Sequence, residues 1–503
     1  MGNINPATPG SLIIHKHVDG SQNKPGTPDG KTEVTAEGVQ GVVFTTYKLT
    51  NIDLTKQADW EKIPTSIPAD ACGTTPSLKL KDGATDATFD AGTASPKTDD
   101  EGDATIKNLA VAAYLVCETS APSNIVQKAA PFLVTIPFPN NEANAATSND
   151  GEWLYNVNVY PKNKKVDKPT KDLLVSNNGL VNEGQLTYTV SQVVPTIADD
   201  HSFSEFIIGD KMSAGQDATK ETVKSVKVGD TDLAGKYTVT EKDGKLYVSL
   251  TKEGLAALKT NQGKTVVVTF TTKANQIGQL ENTAESYIKS IPGDTPPSTP
   301  APTPGDEEPQ PTNKVVSSWG DVIIAKQDPE TADKKKLAGA TFEVYNAKAA
   351  YDGTCTKEID GAALTVNGKT SFTTDATGTV KIDSLFVDQG KAEQKIGADG
   401  KPVFEADGKT PVYGEIEWKS GNGNKHRCYV LKETAAPAGY TLPTGDKSLF
   451  PVKVTPGATT AAQDIVVDNT KQNVPGLPLT GANGQLLLTI GGTFVARRRR
   501  EQD

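Results

Sequence analysis

The sequence predicts an all-β protein, a row of tandem immunoglobulin-like β-sandwich domains, on three observations. Short runs rich in Val, Ile, Thr and Tyr recur between Gly, Asp, Asn and Pro along the whole chain. The composition, with 45 Gly and 32 Pro but two Met in 503 residues, suits strands and turns better than long helices. The first and last parts also repeat one another, as one fold used twice would.

The predicted strands follow in order: LIIHKHV from Leu12, VVFTTYKL near Val42, FLVTIPF near Phe132 and LYNVNVY from Leu154. LTYTV, TVVVTF, DVIIAK, TFEVY and DIVVDN continue the series. The best helical window, Lys252 to Thr260, is short and contains Gly254, which suggests a single crossover helix. Four segment pairs carry the repeat in the same order. They are LIIHK at Leu12 with VIIAK at Val322, FTTYKL at Phe44 with FEVYNA at Phe342, TDDEGDATIKNL at Thr98 with TDATGTVKIDSL at Thr374, and YLVCETSAP at Tyr114 with YVLKETAAP at Tyr429.

At about 100–200 residues per domain, the length asks for three or four units. Residues 1–160 and 314–472 are the repeated sandwiches, and 164–290 is a related sandwich of different topology. Residues 291–313 are rich in Pro and nearly devoid of apolar side chains, as in an extended linker or long exposed loop. Residues 473–503 form a separate tail.

A net charge of −10, with no long basic run in the body of the chain, argues against nucleic acid as a partner. His15, His17, His201 and His426 are scattered, with no GxSxG or HExxH, so a hydrolase is not expected. Cys72, Cys117, Cys355 and Cys428 form no CxxC pair, so neither a metal site nor a cofactor is expected. Two lie early and two late, which fits one disulfide in each repeated unit, Cys72–Cys117 and Cys355–Cys428, in an oxidising compartment. Four buried thiols in a reducing compartment are the alternative. The polar, turn-rich start, Met1 to Gly10, carries no secretory signal and suits a mature N-terminus; Pro6 replaces the Ser or Thr of a myristoylation motif.

Leu477, Pro478, Leu479, Thr480 and Gly481 spell LPLTG, followed by an apolar run from Leu486 to Ala496 and by Arg497 to Arg500. This tail resembles the LPxTG cell-wall sorting signal of Gram-positive surface proteins, in which a sortase attacks the Thr carbonyl, here that of Thr480. The apolar run falls short of the ~20 residues that span a bilayer. WLYNVNVYPKN, Trp153 to Asn163, resembles the pilin motif of sortase-assembled shaft pilins, the corynebacterial Spa-type and Actinomyces fimbrial subunits; its YPK lysine is Lys162. YVLKETAAPAGY, Tyr429 to Tyr440, resembles the E-box of that family, whose glutamate is Glu433.

The resemblance implies Cna-type sandwiches in an elongated array. The expected protein is the major subunit of a covalent, wall-anchored extracellular fimbria that supports adhesion, polymerised through an isopeptide bond between Thr480 of one subunit and Lys162 of the next. The implied partners are a pilus sortase, identical subunits, tip and base pilins, and host or bacterial surface receptors. A monomeric wall-anchored adhesin with a stalk of sandwiches is the alternative, and it would have no need of a YPK lysine. Pro161 is expected to free Lys162 from ladder pairing so that it can reach a sortase cleft.

The family resemblance further implies Lys–Asn isopeptide bonds inside the domains, formed in a single autocatalytic turnover that makes no enzyme of the protein. Burial deprotonates the Lys and keeps an acid protonated, and that acid polarises the Asn amide while ammonia leaves. Strand alternation places Lys326, Asn469 and Glu433 on the inner face of the last unit. In the middle unit it selects Lys171 and Asn282 with Asp210, Lys168 being the rival donor. In the first unit Lys16 and Glu118 face inward, but Tyr160 is taken as the counterpart of Asn469. No bond is therefore expected there, and Lys16 with Glu118 is left as a buried ion pair of little net stability.

Overall fold

A computed structural model describes residues 4–20, 25–32, 34–140, 152–180, 185–214, 216, 219–305, 308–398 and 401–473. The sorting sequence with Thr480 lies outside the described residues. Within them the chain is built of β-sheets, and no described helix is long and apolar enough to cross a membrane.

The first unit closes on the strand Gly10–His15. Asp103–Leu109 lies antiparallel on one side of it and Asn156–Val159 parallel on the other. A second sheet orders Thr93–Ala94, Val43–Lys48, Ala112–Ser120 and Phe132–Ile136. Alternation turns Leu12, Ile14, Ile106 and Val157 from the first sheet, and Phe44, Tyr114, Val116 and Val134 from the second, into one core. A long excursion after Val43–Lys48 packs Leu49, Leu54 and Leu80 over the back of the second sheet, where Cys72 is bonded to Cys117.

The middle unit is a larger sandwich of two five-stranded sheets. Tyr188, Val190, Phe206, Ile208, Val268 and Phe270 fill its core. The helix Lys252–Lys259 lies where the sequence places it, capped at Thr251 and burying Leu255 and Leu258.

The last unit reuses the first. Lys314–Gln327 takes the place of Gly10–His15, with Thr379–Ala392 antiparallel and Ile465–Asp468 parallel to it. Phe342, Tyr429 and Leu431 face it from the second sheet, and Cys355 is bonded to Cys428. Both disulfides pair as the cysteine positions predict.

The proline-rich segment does not join two bodies. Its end is woven into the middle unit, Gln310–Pro311 pairing with Ala284–Pro292 and Thr312 and Asn313 being buried. The chain then passes into the last unit within a single 14-residue strand, Lys314–Gln327. The first half of that strand pairs with Gly278–Asn282 and gives Val315 and Trp319 to the middle core. Residues 293–305 form a loop on the surface of the middle unit, with Ser249 donating to the carbonyl of Ala301.

Candidate functional site

Three buried amines define the chemistry of this chain. In the last unit, Lys326 leaves the inner face of Lys314–Gln327 with no solvent exposure, and its Nζ donates to Glu433 Oε2 at 2.8 Å. The Phe342 ring lies beneath the amine at 5.8 Å. Asn469, 2% exposed, follows the parallel strand Ile465–Asp468; its Nδ2 donates to the carbonyl of Thr441, and its Oδ1 has no hydrogen-bond partner. Burial pushes the Lys326 amine below the usual lysine range, against the pull of the Glu433 carboxylate. The three residues read from strand alternation therefore share one core.

The middle unit holds the same elements in another topology. Lys171 and Asp210 are in contact with both side chains fully buried, over the rings of Tyr188 at 4.8 Å and Phe270 at 5.7 Å. Asn282 is 3% exposed and is among the groups acting on the Asp210 carboxyl. Burial lowers the Lys171 amine and raises the Asp210 carboxyl, so both are driven toward their neutral forms. Lys168 is exposed, which leaves Lys171 as the buried donor of this unit.

The first unit departs from the sequence-based expectation. Lys16 Nζ lies 3.1 Å from Glu118 Oε2, both side chains having no exposure, as foreseen. The register of the last strand was not. Ile14 pairs with Val159 and His17 with Lys162, so Pro161 lies opposite Lys16 and Asn163 two residues beyond. Lys326 pairs with Val467, and Asn469 again lies two residues beyond. Asn163, not Tyr160, is thus the counterpart of Asn469. It is 1% exposed, and its Nδ2 donates to Glu118 Oε1 at 2.9 Å. The signal was present in the sequence: VYPKN and IVVDN align on their final residue.

Lys162 is half-buried and points away from that core. It is not freed from pairing by Pro161, since its backbone sits in a short parallel ladder with His17. What is free is the side chain, which has no hydrogen-bond or ion-pair partner among the described residues. The strand leading to it is pinned from outside. Tyr160 stacks on His15 at 4.9 Å and donates to the carbonyl of Thr27, while Asn158 Nδ2 donates to that of Pro28. His15 joins Asp103 and Asn158 through its two ring nitrogens. A lysine tip thus projects from a strand whose outer face is held by these contacts.

Residues 7–164 match the family described as Gram-positive pilin subunit D1, N-terminal domain. The whole chain is 37% identical to the fimbrial subunit type 2 of Actinomyces naeslundii, covering 92% of that protein. It is 29% identical to the fimbrial subunit type 1 of Actinomyces viscosus over 98% of this chain and 89% of that protein. Among solved structures it is similar to the full-length major pilin SpaD of Corynebacterium diphtheriae, with a TM-score of 0.61 at 29% identity over 94% of this chain and 99% of that one.

Proposed function

Because the chain belongs to the fimbrial subunits of Gram-positive bacteria, we propose that it is the shaft subunit of a covalent, wall-anchored fimbria, joined by a sortase from Thr480 of one copy to Lys162 of the next. The observation that carries this reading is Lys162 itself, an amine with no partner among the described residues on a strand held by its neighbours. A sortase thioacyl intermediate is resolved by an amine that enters its cleft, and a pre-positioned strand lowers the entropy of that approach. Identical subunits are then the main partner, with tip and base pilins at the ends of the polymer. The role is structural, with no catalytic turnover.

Lys326–Asn469 with Glu433, and Lys171–Asn282 with Asp210, are the two internal cross-links of this reading. Each site pairs an amine with an acid in an apolar box, where a proton moves from the amine to the acid and leaves a nucleophile beside an amide. Co-expression with a pilus sortase tests the polymer. A ladder of SDS-resistant multimers is expected, and a chain that stays monomeric would favour a wall-anchored stalk instead.

A further inference from the structure

We infer that the seam between the middle and last units is a binding site for an acidic sugar, a small hydroxylated carboxylate, with Arg427 as the group that takes its carboxylate. The site belongs to the single chain and depends neither on sortase linkage nor on the internal cross-links.

Strand parity places the arginine. Arg427 shares a face with Tyr429, Leu431 and Glu433, the inner face of the last sandwich, where that sandwich meets Leu174 to Asn178 of the middle unit. Three rings surround its guanidinium, Tyr351 at 5.3 Å, Phe386 at 5.4 Å and Tyr429 at 5.6 Å. Two of its N–H donors are used, Nη1 toward Tyr351 Oη at 2.8 Å and Nη2 toward Asn346 Oδ1 at 3.3 Å. Nε is buried with no hydrogen-bond partner, and no carboxylate pairs with this guanidinium among the described residues. A cation withdrawn from water without a counter-charge is costly, and an incoming carboxylate would supply that charge in the planar geometry that guanidinium groups match.

The internal repeat acts as a control. Tyr114 and Tyr429 are equivalent, and each hydroxyl donates to an equivalent carbonyl, that of Ala110 in the first unit and that of Phe386 in the last. The first unit thus builds the same sandwich with Ala110 and Ala112 where the last unit has Phe386 and Arg427. The arginine and the ring beneath it are therefore not demands of the fold.

Arg427 lines a cleft of about 610 Å³, within the range of small-molecule sites. Asp388 is the one carboxylate of that lining, and it is occupied: it accepts from the backbone N–H groups of Gln389 and Ser420 and from the Ser420 hydroxyl. Arg427 and Lys419 outweigh it, which selects an anion. Side-chain amides supply much of the remaining polar lining. Asn178 uses Oδ1 on the N–H of Phe386, and Gln389 uses Nε2 on the carbonyl of Leu173. Asn178 Nδ2 and Gln389 Oε1 are left with no partner among the described residues. A donor and an acceptor of this kind suit hydroxyl groups, which both give and accept. Leu174, 62% exposed, adds an apolar face for a sugar ring.

Isothermal titration calorimetry on the full chain tests the site. Glucuronate and N-acetylneuraminate are the probes, with glucose as the neutral sugar, acetate as the bare carboxylate and glutamate as an acid that is not a sugar. At least one acidic sugar is expected to bind once per chain, at least about tenfold more tightly than glucose or acetate, as one charge-assisted contact would give. Arg427→Gln is expected to weaken that binding by at least about tenfold. Lys419→Glu changes an exposed side chain, and it is expected to weaken binding as well should a thermal melt show that Arg427→Gln does not fold. Glutamate binding as tightly as the sugars would overturn the assignment to a sugar. Absence of binding by both acidic sugars, equal binding of glucuronate and glucose, or affinity unchanged in a folded Arg427→Gln would overturn the site.

Discussion

Lys162 and Asn163 are neighbours on one strand and face opposite ways, the first half-buried with no partner among the described residues and the second buried against Glu118. Strand alternation alone produces this division. It gives one short segment both an outward amine, the proposed point of polymerisation, and a residue of the internal core.

Lys162→Ala should abolish the sortase-built ladder and leave the thermal midpoint of the monomer within a degree or so, because a solvent-facing side chain with no partner contributes little packing. Gel analysis after co-expression checks the first outcome and calorimetry the second. An unchanged ladder would move the linkage to another lysine, with Lys164 and Lys165 the nearest on the strand.

Glu433→Ala should cost the chain one ammonia loss, that of Lys326–Asn469, and render residues 314–472 protease-sensitive while the middle unit keeps its link. The acid acts within its own core, so its effect should not spread. In the same way Lys171→Ala should remove the middle link, whereas Lys168→Ala should leave it, since Lys168 is exposed. Peptide mapping separates these outcomes.

The Cys355–Cys428 bond closes a separation of 73 residues and Cys72–Cys117 one of 45. Loop-closure entropy puts the stabilisation from each at about 3–5 kcal/mol. Replacing both cysteines of one unit by Ser should lower the denaturant midpoint of that unit and not of the other. Equal loss in both units would show that they unfold together.

Where Lys16 carries no cross-link, the first unit keeps a buried amine whose pKa burial depresses to about 8, below the usual lysine value of 10.5. The unfolded chain then binds more protons than the folded one between those values. Stability of the unlinked unit should therefore rise as pH climbs through that window and flatten outside it, below about 8 and above about 10.5. Denaturant midpoints measured on either side of the window check the sign, and a falling midpoint would contradict the burial of a cation-forming amine.

Much of this was legible in the sequence because β-strands write their inner face at every second residue. Lys326 with Val322 and Ile324, and Glu433 with Tyr429 and Leu431, declare one core by parity alone. Parity does not give register between distant strands. Asn163 was missed because Pro161 looked like a strand end, whereas its carbonyl accepts from His17 N–H and the ladder resumes beyond it. The proline-rich run is a surface loop over 293–305, one of the two forms its composition suggests, but not a linker, for a related reason. Composition reports the lack of apolar side chains from 293 onward but not that Thr312 and Asn313 plug into the middle unit through hydrogen bonds, Asn313 holding both the N–H and the carbonyl of Lys171.

The unbroken strand Lys314–Gln327 decides how such a fibre would yield. In a polymer joined through Lys162 and Thr480, tension enters at the Lys162 side chain, so residues before it hang beside the load. With the two proposed internal links in place, the load would run to Lys171, cross to Asn282, and leave through Lys326 to Asn469. Between Asn282 and Lys326 no covalent shortcut exists; Asn282 is held beside Val315 by the ladder of Gly278–Asn282 on Lys314–Gln327. The two strands are antiparallel and pulled from opposite ends, so the hydrogen bonds are sheared together and not peeled one at a time. If they give way and Ala284–Pro292 is then stripped from His201–Asp210, residues 283–314 pay out, on the order of 100 Å of slack per subunit at ~3.5 Å per residue. The proposed covalent line would thus contain one non-covalent splice, and a fibre of these subunits would be extensible there before any bond in its backbone broke.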